Sequence, residues 1–194
     1  MRFRIGPMFA GLCFLLLLLD RTAYPLSLAA AVCIHEGGHL LAAWLCGAKC
    51  RSFRLGITGL SLDFDCGGLS YGRECLIQLA GSCFGMLSVW IAACFGERTA
   101  YYCVCALCLN IVNLLPITGL DGGGILSSLL HMCLEDGAAV RICRGVSLLT
   151  AVFLWVCALW ISLRTEGNLT VLLCGGFFLV KSLLAYGMPK GNKQ

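Results

Sequence analysis

The pentapeptide HEGGH, residues 35–39, lies inside an apolar stretch that runs from about residue 24 to residue 48. An ionisable residue at the centre of a membrane helix costs roughly 2.5–3.5 kcal/mol, so such a cluster indicates a functional site. On a helix, His35 and His39 lie one turn apart on the same face and can bind one Zn²⁺ ion together. Glu36 lies roughly 100° around that helix from His35, where it can accept a proton from a zinc-activated water.

A zinc site that hydrolyses peptides needs a third protein ligand and one open position. The motif NLLPITGLDGGG, residues 113–124, supplies a candidate in Asp121. Pro116 disrupts a helix, and the glycines favour irregular backbone, which is tolerated at membrane depth only where it lines a cavity. Asp121 follows this break and is predicted to turn towards the histidines. Asn113 is predicted to hydrogen-bond a substrate carbonyl or the developing oxyanion.

These residues also have purely structural interpretations. A lone HExxH pattern occurs by chance in soluble helices, and Asp121 alone could be a solvated residue or a cap at a helix end. Gly37 and Gly38 cost about 1 kcal/mol each in a helix, which predicts the close approach of another helix. The G-x-x-x-G pattern at residues 81–85 is the matching face, and it predicts packing rather than chemistry. His131 is predicted to lie at the membrane interface and not to bind metal.

Composition indicates a polytopic membrane protein. Only 12% of the 194 residues are charged, against about a quarter in soluble domains, and 59% are hydrophobic. Most of the fifteen cysteines fall within apolar runs and are interpreted as small apolar residues. The net charge of +4 is small, and we expect no nucleic-acid partner. Six apolar segments can be marked, at about 5–19, 24–47, 75–96, 99–117, 145–163 and 168–187.

The predicted fold is an all-α polytopic membrane protein of about six transmembrane helices, with a small β-hairpin at the membrane surface. Alternating apolar residues between positions 51 and 65, interrupted at Thr58-Gly59, predict the hairpin. Residues 124–144 are amphipathic and predict an interfacial helix broken at Gly137. We expect residues 1–194 to form a single integral-membrane domain. Ten Lys and Arg residues fall in loops on one side and three on the other, which predicts cytoplasmic termini.

Together the two motifs resemble those of the site-2 proteases, which are intramembrane zinc metalloproteases. HEGGH in an early segment and Asn-Leu-Leu-Pro-x-x-x-Leu-Asp-Gly in a later one carry the resemblance, over roughly residues 24–124. It is closest to the sporulation-type branch that lacks PDZ and CBS domains. The resemblance implies that His35, His39 and Asp121 bind one Zn²⁺ ion and that Glu36 is the general base.

The sequence departs from the family pattern in two places. Thr118 and Gly119 stand where the family often has prolines. The family's third-segment pattern Gly-Pro-x-x-Asn appears here as Gly81-Ser-Cys-Phe-Gly85, without the proline or the asparagine. The second departure puts a polar contact to substrate from this segment in doubt, but it leaves the metal ligands in place.

The resemblance implies hydrolysis of a peptide bond in or next to a transmembrane segment of a membrane-tethered protein, with a sigma-factor precursor in sporulation as one candidate. It further implies a location in the bacterial cell membrane, contact with the lipid bilayer, and regulation by another membrane protein. An extended substrate is predicted to add as a strand to the hairpin edge, unless the hairpin only anchors the helices at the lipid surface.

Two alternatives from other classes remain. A catalytically silent homologue would bind membrane proteins through the same groove, although the intact Glu36 argues against it. A zinc transporter would use the histidines and the aspartate as a transit site. Transporters usually show internal repeats with charged residues in several spans, whereas the polar cluster here is confined to the second and fourth segments.

Overall fold

The structure is a computed structural model that describes residues 2–5, 24–56, 59–65, 69–164 and 169–187. Most of the first predicted apolar segment, from residue 6 to residue 19, lies outside the described residues. The chain divides into two compact units, Met1–Asn113 (unit 1) and Leu114–Gln194 (unit 2). The described helices are α1 (Tyr24–Leu45), α2 (Tyr71–Ala93), α3 (Ala100–Asn113), α4 (Asp121–Cys133), α5 (Asp136–Arg164) and α6 (Leu169–Gly187), with a 3₁₀ turn at Gly96–Thr99.

Three of the described helices, α1, α2 and α5, are long and apolar enough to cross a membrane, and the segment Gly175–Tyr186 of α6 is a shorter apolar helix. Their large apolar side chains point outwards: Trp44, Trp90 and Trp160 are 74%, 76% and 62% exposed. Such exposure suits helices whose surroundings are lipid rather than water. The protein is therefore a membrane protein. The count of six spans and the orientation of the termini stay predictions.

In unit 1, α1 packs against α2 and α3, and these two also pack against each other. Small buried residues such as Ala31 and Ala106 line the contacts, as is usual where membrane helices approach closely. A Cβ atom on Gly38 would lie 2.7 Å from the carbonyl oxygen of Ala80, which confirms the predicted close approach at this residue. A Cβ on Gly37 would have no neighbour within 4 Å, so for Gly37 that prediction is wrong.

Unit 1 also contains a three-stranded sheet with the order β1-β2-β3. Its strands are β1 (Arg2–Ile5), β2 (Lys49–Gly56) and β3 (Gly59–Asp65). Strands β2 and β3 pair antiparallel, with Phe53 opposite Leu62, and β1 pairs parallel to β2, with Arg2 opposite Ser52. The short β1 was not predicted, because four residues carry too little periodicity to reveal a partner fifty positions away. The location of the sheet at the membrane surface stays a prediction.

In unit 2 the break that follows α4 lies elsewhere than predicted. We expected it at Gly137, but the helices are separated at Leu134–Glu135, and Gly137 lies inside the first turn of α5. A glycine costs a helix only about 1 kcal/mol, whereas Asp136 at the N-terminus is stabilised by the helix dipole. The amides of Ala138 and Ala139 both donate to the Glu135 carbonyl, so the helix starts at this point.

Helix α5 therefore extends well beyond the predicted segment 145–163, from Asp136 to Arg164. It packs against α4 and against α6. Its buried positions are small residues, including Ala139, Ala151 and Ala158. A Cβ on Gly175 of α6 would lie 2.9 Å from the Ala158 side chain, so these helices also approach closely.

Candidate metal centre

The two histidines of HEGGH lie on one face of α1, as predicted from their spacing. Their Nε2 atoms are 3.2 Å apart, and their ring centroids are 4.8 Å apart. Both side chains are buried, with 2% of His35 and 6% of His39 exposed. The prediction that the two imidazoles share one helix face is therefore confirmed.

A backbone carbonyl sets the tautomer of His39. Its Nδ1 atom lies 2.7 Å from the carbonyl oxygen of Ile77 on α2. Because a carbonyl oxygen can only accept a hydrogen bond, Nδ1 must carry the proton and donate. In the neutral ring the lone pair then lies on Nε2, the atom that faces His35.

An asparagine sets the tautomer of His35 in the same way. Its Nδ1 atom lies 2.9 Å from Oδ1 of Asn110 on α3. The Asn110 Nδ2 atom donates to the Ala106 carbonyl at 2.6 Å, which fixes the amide orientation and leaves Oδ1 as the acceptor towards the ring. Asn110 is fully buried, at 0% exposure. His35 therefore also presents its lone pair at Nε2.

Two neutral imidazoles held in this way direct two lone pairs at one point. Lone pairs at 3.2 Å repel each other unless a proton or a metal cation lies between them, and a proton shared inside an apolar environment is costly. Two nitrogens bound to tetrahedral zinc at their usual bond length would be roughly 3.3 Å apart. Histidine ligands of zinc typically donate their other ring N–H to a carbonyl or amide oxygen. The donor set of this histidine pair therefore fits zinc.

Asn113 lies one turn after Asn110 on α3 and is half-buried. Its Nδ2 atom is 3.2 Å from Nε2 of His35, so an amide donor lies directly beside a candidate ligand atom. Glu36 is half-buried on α1, next to His35 in the chain. Unit 1 thus brings together His35, His39 and Asn113 of the predicted site residues, with Glu36 on the same helix.

The glycine pattern of α2 has a different role from the one predicted. A Cβ on Gly81 would clash with the His39 ring, and a Cβ on Gly85 would clash with the Asn110 amide. The interpretation of residues 81–85 as packing alone is therefore wrong, because both glycines make room for polar side chains of the site. Gly85 stands at the position of the asparagine in the Gly-Pro-x-x-Asn pattern. The amide of Asn110 occupies the space beside this glycine.

Unit 2 contains Asp121, the first residue of α4, which is half-buried. Leu120 is the N-cap, with extended backbone and no hydrogen bond from its side chain. Asp121 is therefore not a cap for the residues that follow it, and that structural interpretation is wrong. Its carboxylate therefore belongs to the first turn of α4.

The segment before Asp121 is irregular, as the sequence predicted, but the irregular backbone also expected for the glycines at 122–124 is wrong, because they lie in α4. It includes two short-range hydrogen bonds, from the Ile117 amide to the Leu115 carbonyl at 2.7 Å and from the Leu120 amide to the Ile117 carbonyl at 3.0 Å. Gly119 adopts a φ of 87°, which favours glycine. This segment, residues 114–120, is called the Asp121 loop below.

The glycines after Asp121 let the loop fold back on α4. A Cβ on Gly122 would clash with the Leu114 carbonyl, and a Cβ on Gly123 would clash with the Ile117 carbonyl. The loop therefore packs its backbone directly on the backbone of the first helical turn. Ile117 is fully buried, at 0% exposure, which fixes the middle of the loop.

The remaining histidine, His131, contacts groups at the end of α4. Its Nδ1 atom lies 2.7 Å from the Ser127 carbonyl, and its Nε2 atom lies 4.0 Å from Oδ1 of Asp136. These contacts are local to the junction of α4 and α5. They give His131 a structural role in unit 2.

Asn110 is the site residue whose role the sequence did not reveal. The sequence shows it one turn from Asn113 on the same helix face, and that spacing was the available signal. A buried amide one turn before a proposed substrate contact can orient a ligand, but its partner lies 75 residues away in the chain. Only the packing of α3 on α1 identifies it.

Among the comparisons with known proteins, the one with solved structures finds a similar fold. No family model matches the sequence, and no curated protein matches it. The structure is similar to that of the Site-2 Protease from Methanocaldococcus jannaschii, with a TM-score of 0.68. The match covers 99% of this chain and 94% of that chain, at 18% sequence identity. At this identity the likeness shows a shared fold.

Proposed function

We propose that this protein is an intramembrane zinc metalloprotease of the site-2 protease type. It hydrolyses a peptide bond in or next to a transmembrane segment of a membrane-tethered protein. The observation that carries this proposal is the convergence of the two Nε2 lone pairs of His35 and His39, with both Nδ1 atoms held by oxygen acceptors. The fold shared with a solved site-2 protease and the membrane-spanning helices support it.

One Zn²⁺ ion is proposed to bind to His35, His39 and Asp121, which each offer one ligand atom. Two imidazoles and one carboxylate, with a fourth position open, form a donor set of the kind used by catalytic zinc. When bound, the ion supplies Lewis-acid activation of the attacking water and of the scissile carbonyl.

The other groups of the site handle protons and orientation. Glu36 accepts the proton of the attacking water and passes it to the leaving amine. Asn113 donates its Nδ2 hydrogen to the scissile carbonyl oxygen, a role supported by its position 3.2 Å from His35 Nε2. The Ile77 carbonyl and the Asn110 amide keep both imidazoles in the tautomer that has its lone pair on Nε2.

The substrate, the location and the regulation of the protein are proposed from the sequence resemblance. The substrate is a membrane-tethered precursor, with a sigma-factor precursor in sporulation as the first candidate to test. The protein lies in the bacterial cell membrane as a multi-pass protein with cytoplasmic termini, and another membrane protein regulates it.

The test combines cleavage and zinc content in the Glu36→Gln variant. The full chain is co-expressed with candidate membrane-tethered precursors, and the same preparations are assayed for zinc. Glu36→Gln should keep about one Zn²⁺ per chain but abolish cleavage, because this carboxylate moves protons and does not bind the metal. Glu97→Gln, which changes an exposed carboxylate in the 3₁₀ turn, is the control and should cleave normally.

Cleavage by Glu36→Gln at the wild-type rate would end the proposed mechanism. If the wild-type protein carries zinc but cleaves none of the precursors, zinc uptake into vesicles that contain it would instead favour the transporter. Binding of the precursors without cleavage or uptake would favour the silent homologue.

A further inference from the structure

Lys181 is a charged residue inside the last apolar helix, and the proposed reaction does not use it. A charge in such a helix is costly and by default indicates a function. Its Nζ atom lies 3.4 Å from the carbonyl oxygen of Gly119 in the Asp121 loop, and a Cβ on Gly119 would be 2.8 Å from Nζ. The side chain of Lys181 therefore reaches Gly119, the loop residue that adopts a positive φ.

One serine contacts the neighbouring residue of the loop, and a second serine contacts the first. The backbone amide of Thr118 donates to Oγ of Ser147 on α5 at 2.9 Å. The Ser147 hydroxyl lies 3.1 Å from the hydroxyl of Ser182 on α6, and each serine is only 2% exposed. Because the Ser147 oxygen accepts from Thr118, its own proton can be donated to Ser182.

The Asp121 loop needs such partners, because it has left the regular hydrogen bonding of a helix. In an apolar environment a backbone amide without a partner costs several kcal/mol. The Thr118 amide meets this need through a side chain that a second buried hydroxyl orients in turn. The loop is thus held from α5 and α6, three residues before Asp121.

We propose that Ser147, Ser182 and Lys181 form a polar clamp that positions the Asp121 loop so that Asp121 can bind the metal. This inference rests on the proposed function, because it assigns Asp121 a metal to bind. The clamp residues do not touch the metal or the substrate and are positioning residues. They act by fixing the backbone of residues 118–121 before the ion arrives, which lowers the entropy cost of ligation.

The expected effects follow the geometry of each contact. Ser147→Ala removes the acceptor of the Thr118 amide and should weaken zinc binding about 10–100-fold, as for other groups that orient ligands. Ser147→Thr keeps a hydroxyl on the same carbon and should restore affinity to within a few-fold of wild type. Lys181→Met should weaken binding only a few-fold, because a 3.4 Å contact is near the limit of a hydrogen bond.

The experiment uses the full chain in lipid nanodiscs and two measurements. Zinc affinity is measured by competition with a chelator, and amide hydrogen exchange is measured for residues 114–121 in the metal-free protein. Exchange at Thr118 should be about ten-fold faster in Ser147→Ala and Ser182→Ala than in wild type, and normal in Ser147→Thr. Ser162→Ala, which changes a half-buried serine roughly 22 Å further along α5, is the matched control and should change neither measurement.

The outcomes separate the clamp from the proposed function. If Asp121→Ala loses zinc but Ser147→Ala and Ser182→Ala bind it as tightly as wild type, the clamp is wrong and the metal site stands. If loop exchange is unchanged in both serine variants, the clamp is likewise wrong. If Asp121→Ala binds zinc as tightly as wild type, the proposed ligand set is wrong. The proposed role of the clamp in positioning a metal ligand is then wrong as well.

Discussion

The two units fix their proposed metal ligands by different means. In unit 1 the histidines lie on a regular helix, and each ring is oriented by a hydrogen bond that its Nδ1 donates, to Oδ1 of Asn110 or to the Ile77 carbonyl. In unit 2 Asp121 follows an irregular loop whose backbone packs on the glycines at the start of α4. The histidines are therefore fixed by hydrogen bonds of their own side chains, whereas Asp121 is fixed by contacts to the backbone of the loop before it.

This difference predicts different responses to mutation. A group that acts on one side chain can be changed while the helix around it stays folded, so the defect should appear in zinc affinity alone. A group that acts through backbone packing cannot be changed without moving the chain, so zinc affinity and folding should fail together. Unit 1 should therefore yield separable defects, whereas the glycines at the start of α4 in unit 2 should yield coupled ones.

The largest expected effect contrasts one glycine from each unit. Gly81→Ala places a methyl group where the His39 ring lies, so we expect at least 100-fold weaker zinc binding with near-normal expression and thermal unfolding. Gly122→Ala places a methyl group against the Leu114 carbonyl, and both zinc binding and thermal stability should fall. Zinc competition and thermal unfolding of the purified variants measure these effects.

Gly145→Ala is the control for this pair, since a Cβ there has no neighbour within 4 Å. It should bind zinc normally and be slightly more stable, because alanine favours a helix by about 1 kcal/mol over glycine. Gly81→Ala that unfolds as readily as Gly122→Ala would remove the contrast between the two units.

A smaller effect on zinc affinity should separate the two asparagines of α3. Asn110→Ala removes the acceptor that fixes the His35 tautomer, so zinc affinity should fall about 10–100-fold and cleavage should recover at high zinc. Asn113→Ala removes a donor to the substrate, so zinc affinity should be normal while kcat falls about 100–1000-fold. Chelator competition and cleavage kinetics over a range of zinc concentrations distinguish these outcomes, and identical phenotypes would refute the separate roles.

The sequence predicted how the two histidines of the candidate site are placed, but it did not predict which groups orient their rings. The spacing of His35 and His39 fixes their common face, since helix geometry is local. The role of Asn110 depends on the approach of α3 to α1, a contact between residues 75 positions apart. The role of Gly81 and Gly85 was predicted wrongly for a related reason. A glycine looks the same in sequence whether a helix backbone or a side chain occupies the space beside it.

Local signals also failed where two of them competed. Gly137 predicted a break in the amphipathic segment. The structure instead starts α5 at Asp136, because the helix dipole stabilises this residue and one glycine costs a helix little. By contrast, the end of α3 before Pro116 was predictable, because proline lacks the donor that the helix needs. The effect of one strong local constraint, such as a proline, was predictable from sequence. The outcome of competition between weak helix preferences was not.

The smallest expected effect concerns the sheet, which belongs to unit 1. Strand β2 has β1 on one side and β3 on the other, so β3 is an edge strand among the described residues. If substrate adds to that edge, proline at Ser61 or at the adjacent Leu62 removes one outward amide donor and should slow cleavage several-fold with zinc binding intact. Normal cleavage by both variants would leave the sheet with an anchoring role only.

Binding of one zinc ion by His35, His39 and Asp121 is tested most directly by X-ray absorption at the zinc edge of the purified protein. The wild type should show about two imidazole nitrogens with oxygen ligands at roughly 2.0–2.1 Å. That spectrum should be lost in His39→Ala and in Asp121→Ala, and unchanged in His131→Ala. A shell of sulfur atoms at about 2.3 Å, or an unchanged spectrum in either ligand variant, would contradict the account.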